Sequence, residues 1–249
     1  MKIAVCVKEV YNLEQVKIIK ETREPILDVP KKLDDLSRNA LEEAIKIREK
    51  LGGEVVAISA GSPDLKKTIK EALAMGADRA VIVTDCSNST PESTALILSK
   101  ILEKDSYDLI IMGDASSDDY SGQMASRIAE ILGLPQITFV SEIKEVSEEK
   151  ITCVRDMDDY LEVVEADLPC VLSVTNEINE PRIPALKDIL KASKKPVETL
   201  SANDLGVEIP QPYEIIENLA PEIDRRQEVI EGDAGDVARK LAEIIRREA

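Results

Sequence analysis

The chain has 249 residues, enough for one large α/β domain or for a domain of about 150–200 residues plus an extension. Hydrophobic residues make up 43% and aromatics 2%, with one Phe and no Trp, so a sizeable core is available but an aromatic platform for single-stranded nucleic acid is not. A formal charge of −17 disfavours phosphate backbones and anionic lipid, and the absence of histidine removes the Ser–His–Asp triad, the Cys–His pair and the His-ligated zinc.

The first strand is Ile3–Val7, and a helix follows in which Leu36, Ala40, Leu41, Ala44, Ile45 and Ile47 recur near a 3.6-residue period. Gly52-Gly53 ends that helix, and 54–59 is the second strand. Ser62-Pro63 opens a helix through Leu73, with Ser62 suited to the N-cap and Pro63 to the first helical position. Strands at Ala80–Val83 and Leu109–Met112, and helices at Pro91–Leu102 and about Ser121–Leu132, continue the alternation. The pattern calls for an α/β fold, a parallel sheet with helices on both faces.

After about residue 135 the pattern changes. Ile137–Val140, Ile151–Val154, Tyr160–Val164 and Cys170–Val174 read as added, partly antiparallel strands. Periodicity is lost through Gly206, Pro210, Pro212 and Pro221 and returns in an amphipathic helix at Asp236–Arg247. Residues 1–200 therefore read as one α/β domain and 201–249 as a docking arm. No signal segment precedes the first strand and no apolar run reaches the roughly 20 residues of a membrane span, so the chain is expected to be cytoplasmic.

The four cysteines, Cys6, Cys86, Cys153 and Cys170, form no C-x-x-C pair, which leaves zinc ribbons, iron–sulfur clusters and thioredoxin-like pairs without ligands. They read as small buried hydrophobes in strands.

In open α/β sheets ligands bind at the carboxyl ends of strands, where the strand order reverses. Two strand-to-helix junctions have suitable chemistry. In Gly113-Asp114-Ala115-Ser116-Ser117-Asp118-Asp119-Tyr120-Ser121-Gly122 the glycine permits close backbone approach, and the hydroxyls can bond phosphate. A helix start at Ser121-Gly122 would offer free N–H groups. An ordinary polar loop before a capped helix accounts for the same residues. The second junction, Ser59-Ala60-Gly61-Ser62-Pro63, could let a ribose or adenine pack at Ala60. Neither the P-loop nor a G-x-G-x-x-G after the first strand is present.

Three segments carry a family likeness. Thr68–Arg79 contains A-L-A-M-G-A-D-R, which resembles a segment of electron transfer flavoprotein β subunits, and Val5-Cys6-Val7-Lys8 resembles their first strand. Val154–Glu162 leading into Leu168–Ser173 is similar to the family's β-subunit signature, with Tyr160 departing from it. Ile178-Asn179-Glu180-Pro181-Arg182-Ile183-Pro184-Ala185-Leu186 and the basic run after it resemble the loop that engages partner dehydrogenases. Within the family, Gly113–Asp118 and Lys194–Val197 look most like the Fix branch.

The resemblance implies an adenine-nucleotide-binding, Rossmann-like α/β fold over residues 1–200, and a heterodimer with an α subunit that carries FAD, the β subunit holding either AMP or, in bifurcating members, a second FAD. It implies nucleotide contacts at Cys6, at Asp34, Asp35, Leu36 and Ser37, at Ala60, and at Gly113, Asp114, Ala115, Ser116, Ser117, Asp118, Asp119, Tyr120 and Ser121. It implies partner contacts at Pro181, Leu186, Lys187 and Lys191 within a loop of about 176–196. Asp34-Asp35-Leu36 stands where the family has N-P-aromatic, and the 113–121 loop is short. Both departures tilt the reading toward FAD.

The flavin would do the redox chemistry, which suits a chain with no histidine and no assigned catalytic side chain. Electrons are expected from NADH or a dehydrogenase, leaving through the α-subunit flavin toward a quinone reductase or ferredoxin. The basic cluster Lys187, Lys191, Lys194 and Lys195 reads as charge guiding a partner onto Leu186, or as the solvated face of a short helix. An ATP pyrophosphatase or adenylyltransferase would need S-G-G-x-D-S or H-x-G-H, which the sequence lacks. A nucleotide-binding stress or sensor protein leaves the strands after 135 and the C-terminal arm without a role.

Overall fold

The computed structural model describes residues 1–87, 89–207, 215–222 and 227–248, in two compact units. The larger comprises Met1–Lys17 and Ile26–Ile216, and the smaller Ile18–Pro25 and Glu217–Ala249. In chain order the strands are β1 (Lys2–Cys6), β2 (Glu9–Tyr11), β3 (Lys17–Ile18), β4 (Pro25–Ile26), β5 (Lys31–Leu33), β6 (Glu54–Ala60), β7 (Arg79–Val83), β8 (Leu109–Gly113), β9 (Gln136–Val146), β10 (Lys150–Asp156), β11 (Leu161–Asp167), β12 (Cys170–Val174) and β13 (Val197–Leu200). The helices are α1 (Asp35–Leu51), α2 (Leu65–Met75), α3 (Pro91–Leu102), α4 (Met124–Leu132), α5 (Leu186–Ala192) and α6 (Ala234–Glu248).

The main sheet runs β11-β10-β9-β12-β8-β1-β6-β7-β13. Seven of these strands, from β9 to β13 in that order, are parallel. The hairpin β10–β11 adds the antiparallel edge expected after residue 135. Val, Ile and Ala dominate the central strands because both faces are covered. Residues Ile3 and Val5 of β1 feed one core, with Leu41 and Ile45 of α1 and Ile69 of α2. Ala4 and Cys6 feed the other, with Ile97 of α3 and Ile128 of α4. Burying each such Leu or Ile side chain is worth about 1.5–3 kcal/mol.

α1 begins at Asp35, capped by the buried Asp34, which accepts a hydrogen bond from the Ser37 amide at 3.1 Å. Two other helices begin later than expected. Ser62 does not cap α2: its hydroxyl donates to Glu9 and accepts from Lys31, and the helix starts at Leu65. α4 starts at Met124, because Tyr120 (φ +48°) and Gly122 (φ +63°) turn the chain out of helical geometry.

The A-L-A-M-G-A-D-R segment is architectural. A Cβ on Gly76, where φ is +147°, would lie 2.8 Å from Ile45 Cδ1, so glycine lets α2 end against α1. Asp78 accepts from Arg48 and from the Val55 amide, and Arg79 pairs with Glu54 and Asp105.

In the smaller unit Ala220 donates its amide to the Arg23 carbonyl, and α6 covers the helix expected at Asp236–Arg247. Pro210 and Pro212 lie outside the described residues. Among the described residues no helix is long and apolar enough to cross a membrane.

Candidate functional site

The chain passes from β1 to β6 and β7 on one side, then returns to place β8 on the other side of β1. The connection after β1 leads to α1 on one face of the sheet, and that after β8 leads to α4 on the other. The carboxyl ends of β1 and β8 therefore flank a switch point, where a doubly wound sheet opens a crevice.

Four predicted segments end there. Cys6 closes β1 and is 7% exposed, while Ala60 closes the neighbouring β6. Ser59 donates to the Val7 carbonyl at 2.6 Å and fixes the turn out of β1. Asp34 joins two segments through one carboxylate, with Oδ2 accepting from the Ser37 amide and Oδ1 from the Ser117 amide at 2.9 Å. Ser37 Oγ in turn accepts from the Lys8 amide. Asp35 points away and pairs with Lys32, and Tyr120 and Ser121 are exposed.

Gly113 is needed for a different reason than its motif suggests. A Cβ there would lie 2.7 Å from Leu36 Cβ, so the close approach it permits is that of α1 against β8. Ala115 follows on the loop, and its carbonyl stands 3.1 Å from the same position.

Lys8 organises the loop and was not among the expected site residues. Its Nζ donates to Ser116 Oγ at 3.1 Å and to Asp118 and Asp119 at 2.7 Å each. Burial works against ionisation of Asp118, but hydrogen bonds from Lys8 and Ser116 outweigh it and hold its carboxyl below the usual range. Asp114 behaves oppositely: burial, reinforced by the charges of Glu177 and Asp34, pushes its carboxyl up. The sequence signal for Lys8 was its place directly after the first strand, where a glycine motif is missing.

The walls carry unmet hydrogen-bonding capacity. Asp114 Oδ1 and Ser117 Oγ are buried without a partner, which fits a loop that closes around a polar ligand. Among the described residues no cluster of His, Cys, Asp and Glu could hold a metal ion.

A model of the electron transfer flavoprotein domain matches residues 27–205. The electron transfer flavoprotein subunit beta of Thermoanaerobacterium thermosaccharolyticum is 36% identical over 253 residues, covering 98% of this chain and 97% of that protein. The chain belongs to the electron transfer flavoprotein family. The similarity spans the crevice and both expected docking segments, and it supports the reading of the chain as the β subunit.

The segment expected to engage a partner leaves the sheet after β12. Asn39 of α1 donates to the carbonyls of Asn176 and Asn179, and Asn179 returns a bond to the Asn39 carbonyl. Pro181 precedes Arg182, which is bound to Glu42 and Glu49. Beyond this anchored stretch Ile183 is 88% and Leu186 73% exposed, with Ile189 and Leu190 also open to solvent. Lys187, Lys191 and Lys194 are exposed around them. Lys195 has a structural task instead: its ammonium donates to the Leu73 and Ala77 carbonyls at the end of α2, and burial pulls its pKa down.

The four cysteines are buried free thiols. Cys86 lies in the loop after β7 rather than in a strand. Burial pushes Cys6, Cys153 and Cys170 up to about 12 and Cys86 up to about 11.

Proposed function

We propose that this β subunit holds an adenine nucleotide in the crevice between β1 and β8 and pairs with an α subunit that carries the electron-transferring FAD. The observation that carries the reading is the convergence of Cys6, Asp34–Ser37 and the 113–121 loop on one switch point, with buried polar atoms unpaired on its wall. FAD is the proposed occupant and AMP the alternative.

A bound FAD supplies the electron chemistry, while the chain's own residues hold, orient and shield it. Lys8 sets the shape of the loop, and Asp34 ties that loop to α1. Electrons would come from NADH or a partner dehydrogenase and leave toward a quinone reductase or ferredoxin, with bifurcation where the β site holds FAD. The exposed Leu186 among Lys187, Lys191 and Lys194 has the form of a docking patch, an apolar anchor ringed by charge. α6, with Leu241 and Ile245 exposed, is proposed to dock on the α subunit.

The test is co-expression with the α subunit, purification of the complex and extraction of its nucleotides. Two FAD per heterodimer supports bifurcation, and one FAD with one AMP supports the simple carrier. A complex with no flavin overturns the proposal. In the same complex Leu186→Ala should slow partner reduction about tenfold at unchanged nucleotide content, as loss of an interface anchor worth ~1.4 kcal/mol would.

A further inference from the structure

Among the described residues five buried side-chain polar atoms lack a partner: Asn12 Oδ1, Ser99 Oγ, Asp114 Oδ1, Ser117 Oγ and Thr175 Oγ1. Three of the five fall at the carboxyl ends of the adjacent strands β8 and β12, a concentration that core packing alone does not call for. We propose that Thr175, the residue after β12, contacts the nucleotide and that, with Asp114 and Ser117, it binds an uncharged hydrogen-bond-donating part of it. This rests on the reading of the crevice as a nucleotide site.

Thr175 is 8% exposed, and its amide donates to the Val140 carbonyl, so its backbone is fixed. Val174 pairs with Gly113 in the sheet, and its carbonyl accepts from the Asp114 amide at 2.9 Å. Thr175 and Asp114 thus stand at neighbouring chain ends. Ser117 lies on the loop that continues from Asp114, and its amide is fixed by donating to Asp34. A buried hydroxyl that could rotate to any neighbour and still finds none has the form of a group awaiting a ligand.

The surrounding charge decides which part of a nucleotide belongs here. Asp114 lies within electrostatic reach of both Asp34 and Glu177. The nearby cation, Lys8, is already shared between Asp118 and Asp119. A phosphate would be repelled, whereas an ionised Asp114 can accept a hydrogen bond and a threonine hydroxyl can accept or donate. A ribose hydroxyl or the adenine amino group meets that requirement.

The experiment compares wild type, Thr175→Val and Thr175→Ser, each purified with the α subunit and stripped of nucleotide. AMP, 2′-deoxy-AMP, 3′-deoxy-AMP and IMP are titrated into each by calorimetry. Thr175→Val should weaken AMP about tenfold, Thr175→Ser less than about threefold, and one analogue should lose the difference between wild type and Thr175→Val. A deoxy analogue that does so identifies a ribose hydroxyl, and IMP identifies the amino group. The nucleotide-free Thr175→Val complex should melt at or above the wild-type temperature, because it loses an unpaired buried hydroxyl. Equal AMP affinity in wild type and Thr175→Val overturns the assignment, as does a drop in the nucleotide-free melting temperature that accounts for the weaker binding. A wild-type complex that binds neither AMP nor FAD overturns the crevice reading itself, and this assignment with it.

Discussion

Arg182 is clamped between Glu42 and Glu49 of α1, with its Nε 2.7 Å from one carboxylate and a terminal nitrogen 2.7 Å from the other. The pairing joins two regions far apart in sequence. α1 frames the crevice at its N-terminus and further along grips the segment that leads to Leu186. The crevice wall and the segment leading to the exposed apolar patch therefore share one rigid element.

The Glu42 side chain is 5% exposed, so removing its partner leaves a buried charge unpaired. Arg182→Ala should cost about 1–3 kcal/mol in urea unfolding, below the usual loss for a buried pair because the arginine is partly solvated. Adding Glu42→Gln should restore about half of the loss. If the single variant matches wild type, the clamp is not holding the segment.

Gly113→Ala tests the packing of α1 on β8. The new Cβ would meet Leu36 Cβ at 2.7 Å and the Leu36 backbone carbonyl carbon at 3.1 Å, and the backbone cannot yield as a side-chain tip would. A destabilisation of about 1–3 kcal/mol is expected, together with loss of bound nucleotide, because Asp34 moves with the helix. Thermal melting and nucleotide extraction measure the two effects separately.

Much of this architecture was legible because period and composition carry it. Continuous apolar runs gave the central strands, and the 3.6-residue spacing of α1 gave its buried face. The rule that ligands bind at the carboxyl ends of strands pointed to Gly113 and Ala60 from the residues themselves, whereas Cys6 and Asp34 were reached only through the family resemblance. Contacts between distant residues were not legible. Thr175 is an ordinary polar residue after a strand until β12 pairs with β8. Lys195 looks like one more docking charge until the end of α2 is seen to lie beneath it. The start of α4 was misplaced because Tyr120, a residue that rarely takes positive φ, does so here.

The thiols offer a simple check on the buried core. With pKa values pushed up to about 11 or 12, at pH 8 on the order of one thiol in a thousand or fewer is ionised, and all four are sterically enclosed. An aromatic disulfide reagent should release no colour from the native chain within minutes and four equivalents in denaturant. Rapid labelling of the folded chain would show that a cysteine is open.

Two carboxylates of one loop should titrate stability in opposite directions. Asp118 is held below its usual range, so its contribution is full above the unfolded value and is lost as pH falls through the folded value. Asp114 is held above its usual range, so its favourable contribution exists below the unfolded value, is lost as pH rises through the folded value, and leaves a net cost near neutrality. Lys8→Met should lower the melting temperature at pH 7 by about 1–3 °C, a small effect because Lys8 is partly solvated. Asp114→Asn should raise it. As pH falls, the Asp114→Asn difference should shrink first, as that carboxyl protonates at its raised value, and the Lys8→Met difference should vanish only below about pH 4, where Asp118 protonates in turn. Melting curves of the nucleotide-free chain across this range distinguish the two. An Asp114→Asn variant less stable than wild type at pH 7 would mean that the carboxylate supports the fold rather than the ligand.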